Sequence, residues 1–314
     1  MSKYLPVFST PGGEAVFREA YQATLEHWTA SYREQYIPTS FGDVHVVASG
    51  PENSQPIILL HAFFASAAVW YPNIGALSSK YRVYAVDILG DANLSRPVRP
   101  VTSMEEFSQC FTELFDGLHI HKADLIGNSF GGFLAASLAM QIPQRVRGIV
   151  LLSPASTFHS MIPFYVHVFL PKVINMMAPR MPGQAGRIRR GVDWVYAGLP
   201  PDPYWSDVFY QAMLHGTGTN RVFPRVYQAE DFQKLSSIPA LLLIGDHEKI
   251  YPPQDAIRAA KRCFPAIETE VIQKAHHLTA LSNPEAVNRR ILDFLSNLDY
   301  EQQAQSFEES VGKR

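Results

Sequence analysis

The residues Gly127-Asn128-Ser129-Phe130-Gly131, with Gly132 next, set a serine between glycines in the pattern G-x-S-x-G. That spacing suits a sharp strand-to-helix turn, which needs small residues on either side of a hydroxyl that must stand clear of the chain. The flanks agree: DLIG (124–127) reads as a strand and FLAASLAMQI (133–142) as a helix. Ser129 would then sit at a helix N-terminus, where free N–H groups and the helix dipole favour a developing negative charge. A serine acting only as a helix cap would explain Ser129 but not the glycines around it. The chemistry indicated is nucleophilic acyl transfer.

A serine hydroxyl is a poor nucleophile at neutral pH, so it needs an imidazole as general base and a carboxylate to orient that imidazole. Lys274-Ala275-His276-His277 closes one β-rich run and offers two imidazoles. Gly245-Asp246-His247-Glu248 closes another and offers two carboxylates. Spacing alone leaves both choices open.

Bringing such distant residues together requires a regular framework. The β-rich runs are VHVVAS (44–49), PIILLHA (56–62), YRVYAVDI (81–88), KADLIGN (122–128), RGIVLLSP (147–154), PALLLIGD (239–246) and TEVIQKA (269–275). IILL, GIVLL and ALLLI are continuously apolar rather than alternating, as in parallel strands covered on both faces. Helical periodicity marks 104–118, 130–141, 254–263 and 284–298, so strands and helices alternate and predict a mostly parallel, doubly wound α/β sheet. Phe17, Tyr21, Leu25 and Trp28 recur at helical spacing before it. The expected organisation is an N-terminal helical extension (1–35), a core (36–156 and 238–298), an inserted helical lid (157–237) and a flexible polar tail (299–314).

With 314 residues, 46% hydrophobic and 18% charged, the chain can bury one substantial core and a smaller lid. A net charge of -2 and the lack of a basic run interleaved with aromatics argue against a nucleic-acid partner. Two cysteines, Cys110 and Cys263, are too few for a disulfide framework and are expected to be reduced. The N-terminal stretch lacks an apolar run of signal-peptide length and no segment approaches a membrane span, so a cytoplasmic protein without a membrane partner is expected. Metal-ligand spacings, phosphate loops and dinucleotide fingerprints are not found, and neither cofactor nor metal is expected.

Between about Tyr36 and Leu298 the chain resembles the α/β-hydrolase superfamily, with nucleophile, acid and histidine motifs in that family's order. The stretches HVVASGPE, WYPNI, SSKYRVYAVDILGD, LLSPA and LLLIGDHEKIY are similar to bacterial carboxylesterases of the naproxen-esterase (carboxylesterase NP) type. The resemblance implies His277 as the base: the family's Ala-Gly-His pattern places a proline seven positions later, and here that is Pro284. His276 then stands where the family usually has glycine. It also implies Glu248 as the triad acid, with Asp246 the alternative, and assigns the oxyanion N–H groups to Phe130 and, through the family's His-Gly-x motif, to Phe63 of His61-Ala62-Phe63. Ala62 replaces the usual glycine, so that loop is expected to bend differently or carry strain. Asp87, ending another strand, reads as structural.

Phe158, Met161, Phe164, Tyr165, Val168, Phe169, Met176, Met177, Met181, Trp194 and Trp205 stud the insertion and suggest an adaptable apolar pocket. The leading expectation is a serine hydrolase acting on small-molecule carboxylic esters with apolar acyl or aryl groups through an acyl-enzyme. A carbon–carbon bond hydrolase or an acyltransferase could use the same triad, and a receptor could retain the fold without turnover.

Overall fold

The continuously apolar runs form the middle of the sheet. In the computed structural model, which describes residues 3–178, 181–235 and 237–311, the strands are β1 (Tyr32–Thr39), β2 (Gly42–Ser49), β3 (Pro56–Leu60), β4 (Arg82–Val86), β5 (Arg96–Pro97), β6 (Ala123–Asn128), β7 (Val146–Leu152), β8 (Ala240–Gly245) and β9 (Glu268–Ile272). Their order is β1-β2-β4-β3-β6-β7-β8-β9, with β5 pairing on β2. From β4 to β9 all neighbours run parallel, while β1 and β2 add an antiparallel edge. This is the mostly parallel α/β fold expected from the alternation of patterns.

The helices are α1 (Pro11–Leu25), α2 (Tyr71–Ser78), α3 (Met104–Gly117), α4 (Phe130–Gln141), α5 (Ile162–Phe164), α6 (Leu170–Met177), α7 (Gln184–Val195), α8 (Pro203–His215), α9 (Pro253–Cys263), α10 (Thr279–Ser282) and α11 (Pro284–Val311). Every residue of α4 from Phe130 to Met140 is buried, which is why its sequence is apolar all round rather than striped. None of the described helices is long and apolar enough to cross a membrane.

Three elements differ from the sequence expectations. α1 starts at Pro11, ahead of its apolar stripe, because Thr10 caps it by accepting from the Gly13 N–H and proline is favoured in a first helical turn. β1 buries only Ile37 and contains Pro38, so it carries no apolar run, as suits an edge strand. α11 continues to Val311, through polar residues read as a tail, of which 312–314 lie outside the described residues.

The stretch between β7 and β8 holds α5, a π-helical turn at Tyr165–Phe169, α6, α7 and α8. α1 packs against α8, and the Ser9 N–H donates to the His215 carbonyl at 2.8 Å. This inserted stretch thus rests on the N-terminal helix through α8.

Candidate active site

Parallel strands all deliver their following loops to one edge of the sheet, where ligand sites in open α/β folds form. Ser129 follows β6, His61 to Phe63 follow β3, Asp246 to Glu248 follow β8, and His277 lies in the loop after β9. β3 and β6 are neighbours, with Leu60 opposite Gly127; β8 and β9 are neighbours, with Gly245 opposite Ile272.

Ser129 has φ 53° and ψ -114°, a conformation that L-residues avoid and that persists only where surroundings impose it. Here its N–H donates to the Leu152 carbonyl at 2.9 Å, and its carbonyl accepts from Phe133 and Ala155 at 3.0 and 2.9 Å. The glycines are steric necessities. A Cβ on Gly127 would lie 2.1 Å from the Gly131 carbonyl oxygen, and one on Gly131 would lie 2.1 Å from that of Leu60.

His277 is buried between two partners. Its Nε2 lies 2.8 Å from Ser129 Oγ and its Nδ1 lies 2.7 Å from Glu248 Oε2. The other oxygen of Glu248 accepts from the Ile250 N–H at 2.9 Å, so both carboxylate oxygens are fixed. Asp246 holds the loop instead, accepting from the Ala275 N–H at 2.9 Å. Burial would raise its pKa, but the amides of Ala275 and Lys274 outweigh that and hold the carboxyl below its ordinary range. Gly245 permits this close approach, since a Cβ there would meet the Ala275 carbonyl oxygen at 2.2 Å.

His276 bonds to neither Ser129 nor Glu248 among the described contacts. Its Nδ1 accepts from the Leu278 N–H at 3.2 Å and its ring stands at 78° to Tyr196, with centroids 5.0 Å apart. Burial, followed by the nearby His277 and His247, depresses its pKa to about 3.

The loop after β3 shows no backbone strain at Ala62. Ala62 keeps a negative φ; the left-handed residue is Phe64, at φ 58°. His61 is fully buried, donates from Nδ1 to the Ala62 carbonyl at 2.7 Å and accepts the Ile88 N–H on Nε2 at 2.9 Å. Burial lowers its pKa despite Asp87 nearby, and the neutral ring is the form that can make both bonds. Asp87 anchors the far end of the loop by accepting from the Ala67 N–H at 2.7 Å. The Phe63 and Phe130 rings stack at 4.1 Å, tying these two residues together, and neither amide donates to a protein acceptor among the described residues.

Ser129 and His277 open onto a cavity walled by Ala62, Phe63, Phe164, Val195, Trp205, Phe209 and Leu278. Its walls are thus overwhelmingly apolar. Of the residues singled out in the inserted stretch, Phe164 and Trp205 reach it, whereas Met176, Met177 and Met181 are exposed. Aromatic and branched side chains rather than methionines therefore shape this cavity.

Two contacts have no signature in the sequence. Asn128 occupies a variable position of the serine motif, yet its Nδ2 donates to the Leu152 and His277 carbonyls at 3.1 Å each, clamping the histidine loop to the serine turn. Tyr196, just after α7 in the stretch between β7 and β8, meets the histidine loop from far along the chain. A buried polar residue at the end of an apolar strand was the available signal for His61.

The family model described as alpha/beta hydrolase fold matches residues 55–193. The uncharacterized carboxylesterase nap of Bacillus subtilis is 34% identical over 89% of this chain and 92% of its own length. Carboxylesterase YbfK of the same organism is 34% identical over 89% and 93%. The crystal structure of naproxen esterase (carboxylesterase NP) from Bacillus subtilis superposes with a TM-score of 0.80 at 32% identity, covering 91% of this chain and 99% of that one. With its strand order, its serine turn and relatives matched nearly end to end, the chain belongs to the α/β-hydrolase family, among bacterial carboxylesterases of the naproxen-esterase type.

Proposed function

We propose that this protein hydrolyses small-molecule carboxylic esters bearing apolar acyl or aryl groups, with Ser129 as nucleophile, His277 as general base and Glu248 as the acid that orients it. The observation that carries the reading is the bridge made by His277, 2.7 Å from Glu248 on one nitrogen and 2.8 Å from Ser129 on the other. A carboxylate on Nδ1 keeps that nitrogen protonated and leaves Nε2 free to take the serine proton. The carboxylesterase relatives support the ester bond as target, and the apolar cavity supports the substrate class. The cytoplasmic location expected from the sequence is carried as part of the same proposal.

In the reaction Ser129 Oγ bonds to the ester carbonyl carbon as its proton passes to His277 Nε2, and the carbonyl electron pair moves onto oxygen. The Phe63 and Phe130 amides stabilise that oxyanion, and Glu248 stabilises the imidazolium. Collapse re-forms the carbonyl, breaks the bond to the alkoxy group and returns the proton to the departing alcohol. Water then repeats the sequence on the acyl-enzyme, releasing the acid.

The test is turnover of p-nitrophenyl esters alongside labelling by a fluorophosphonate. Ser129→Ala should lose at least about a thousandfold in kcat and all labelling while keeping its Tm. A variant retaining more than about a hundredth of parental turnover would overturn the assignment.

A further inference from the structure

We propose that His276 is a positioning residue that couples the alignment of His277 to the seating of the lid and to what fills the cavity. The proposal rests on the ester-hydrolase reading above and adds to it a route by which the substrate's apolar group acts on the base.

The route is a chain of contacts. Trp205, a wall of the cavity, stands edge-on to Tyr196 with centroids 5.6 Å apart at 85°. Tyr196 is held in the lid by its hydroxyl, which donates to the Asp202 carbonyl at 2.9 Å and lies 2.5 Å from Ser206 Oγ. The other side of Tyr196 meets the His276 ring. That ring accepts the Leu278 N–H, which fixes the backbone immediately after His277, while Asn128 fixes the His277 carbonyl.

A side chain accepting the N–H two residues on is the bond by which asparagine and aspartate form turns. Histidine serves only if Nδ1 carries no proton: burial keeps the ring neutral, and the Leu278 N–H selects the tautomer protonated on Nε2. A glycine at this position could neither accept the amide nor touch the lid. His276 therefore gives the histidine loop a restraint that depends on Tyr196 being in place. An acyl or aryl group pressing on Trp205 tightens the same stack, so substrates that fill the cavity meet a better aligned base.

The test compares His276→Ala, His276→Asn, Tyr196→Ala and the His276→Ala/Tyr196→Ala double variant. Readouts are kcat and KM for acetyl and bulky aryl esters, and hydrogen exchange at the Leu278 amide. His276→Ala should lower kcat for the bulky ester about tenfold, the scale expected of sub-ångström misplacement, with KM within about twofold. His276→Asn should recover most of that loss, because its Oδ1 can accept the Leu278 N–H. Tyr196→Ala should act in the same direction on kcat and on Leu278 exchange, and should add little in the double variant, as contacts in series require. The kcat advantage of the bulky ester over the acetyl ester should shrink in both single variants.

Equal losses in the alanine and asparagine variants, additive losses in the double variant, or a lowered Tm with unchanged kcat would each overturn the proposal. Leu278 exchange reads the contact without substrate. Failure of the ester-hydrolase reading would show instead in the parent protein, as an absence of Ser129-dependent turnover and labelling.

Discussion

The serine turn and the loop after β3 each present one amide to the same oxygen in the proposed mechanism, yet they are held in different ways. At the serine turn backbone atoms crowd so closely that Gly127 and Gly131 admit no side chain. In the other loop Ala62 replaces the family's usual glycine without a positive φ, Phe64 takes the left-handed conformation, and buried polar groups of His61 and Asp87 hold the backbone. Both turns are hydrogen-bonded, but excluded volume adds to the first a constraint that the second lacks. The first should fail abruptly under substitution, the second by degrees.

Among changes to the two turns themselves, the largest effect is expected from Gly131→Ala, whose methyl would overlap the Leu60 carbonyl oxygen and push the two loops apart. Activity of the soluble variant should fall by about a hundredfold or more. Near-parental kcat would show that the turn is softer than its contacts imply. His61→Leu comes next. It leaves the buried Ile88 N–H without its acceptor, which costs about 1–3 kcal/mol, and should lower both the denaturation midpoint and kcat. A change in stability with kcat intact would detach this network from the oxyanion loop.

A third turn, the histidine loop, sharpens the comparison through pH. The folded-state pKa of His276 is depressed from 6.5 to about 3, so the unfolded chain binds more protons between those values and stability falls as the pH drops through that window. His276→Asn should lose less stability than the parent between pH 6.5 and about 3, with no pH-dependent difference above the upper limit. Parallel acid-unfolding curves for the two proteins would count against a neutral, buried His276. The smallest effect belongs to Ala62→Gly. With no positive φ at this position the added backbone freedom should lower stability by up to about 1 kcal/mol and change kcat by less than about threefold. A large gain in kcat would mean that the Ala62 methyl distorts the oxyanion loop after all.

Much of the frame was legible before any coordinates. Buried parallel strands need apolar residues on both faces, so the runs IILL, GIVLL and ALLLI identify the centre of the sheet, and α4 falls on the stretch that follows the serine motif. Elements stabilised by their surroundings escaped: β1 buries only Ile37, and the continuation of α11 to Val311 runs through polar residues without an apolar stripe.

For the site, residue types and order along the chain were enough to name Ser129 and to narrow the imidazole to His276 or His277 and the carboxylate to Asp246 or Glu248, because covalent sequence sets which groups each strand end can offer. Family resemblance favoured His277 and Glu248. Only the tertiary structure could decide which of each pair touches which: side-chain direction depends on how β8 and β9 pair and on the crowded backbone between Gly245 and Ala275. The contacts of Asn128 and Tyr196 with the histidine loop belong to that second category entirely. They join segments far apart in the chain through packing, and no local pattern encodes a partner that only folding brings within reach.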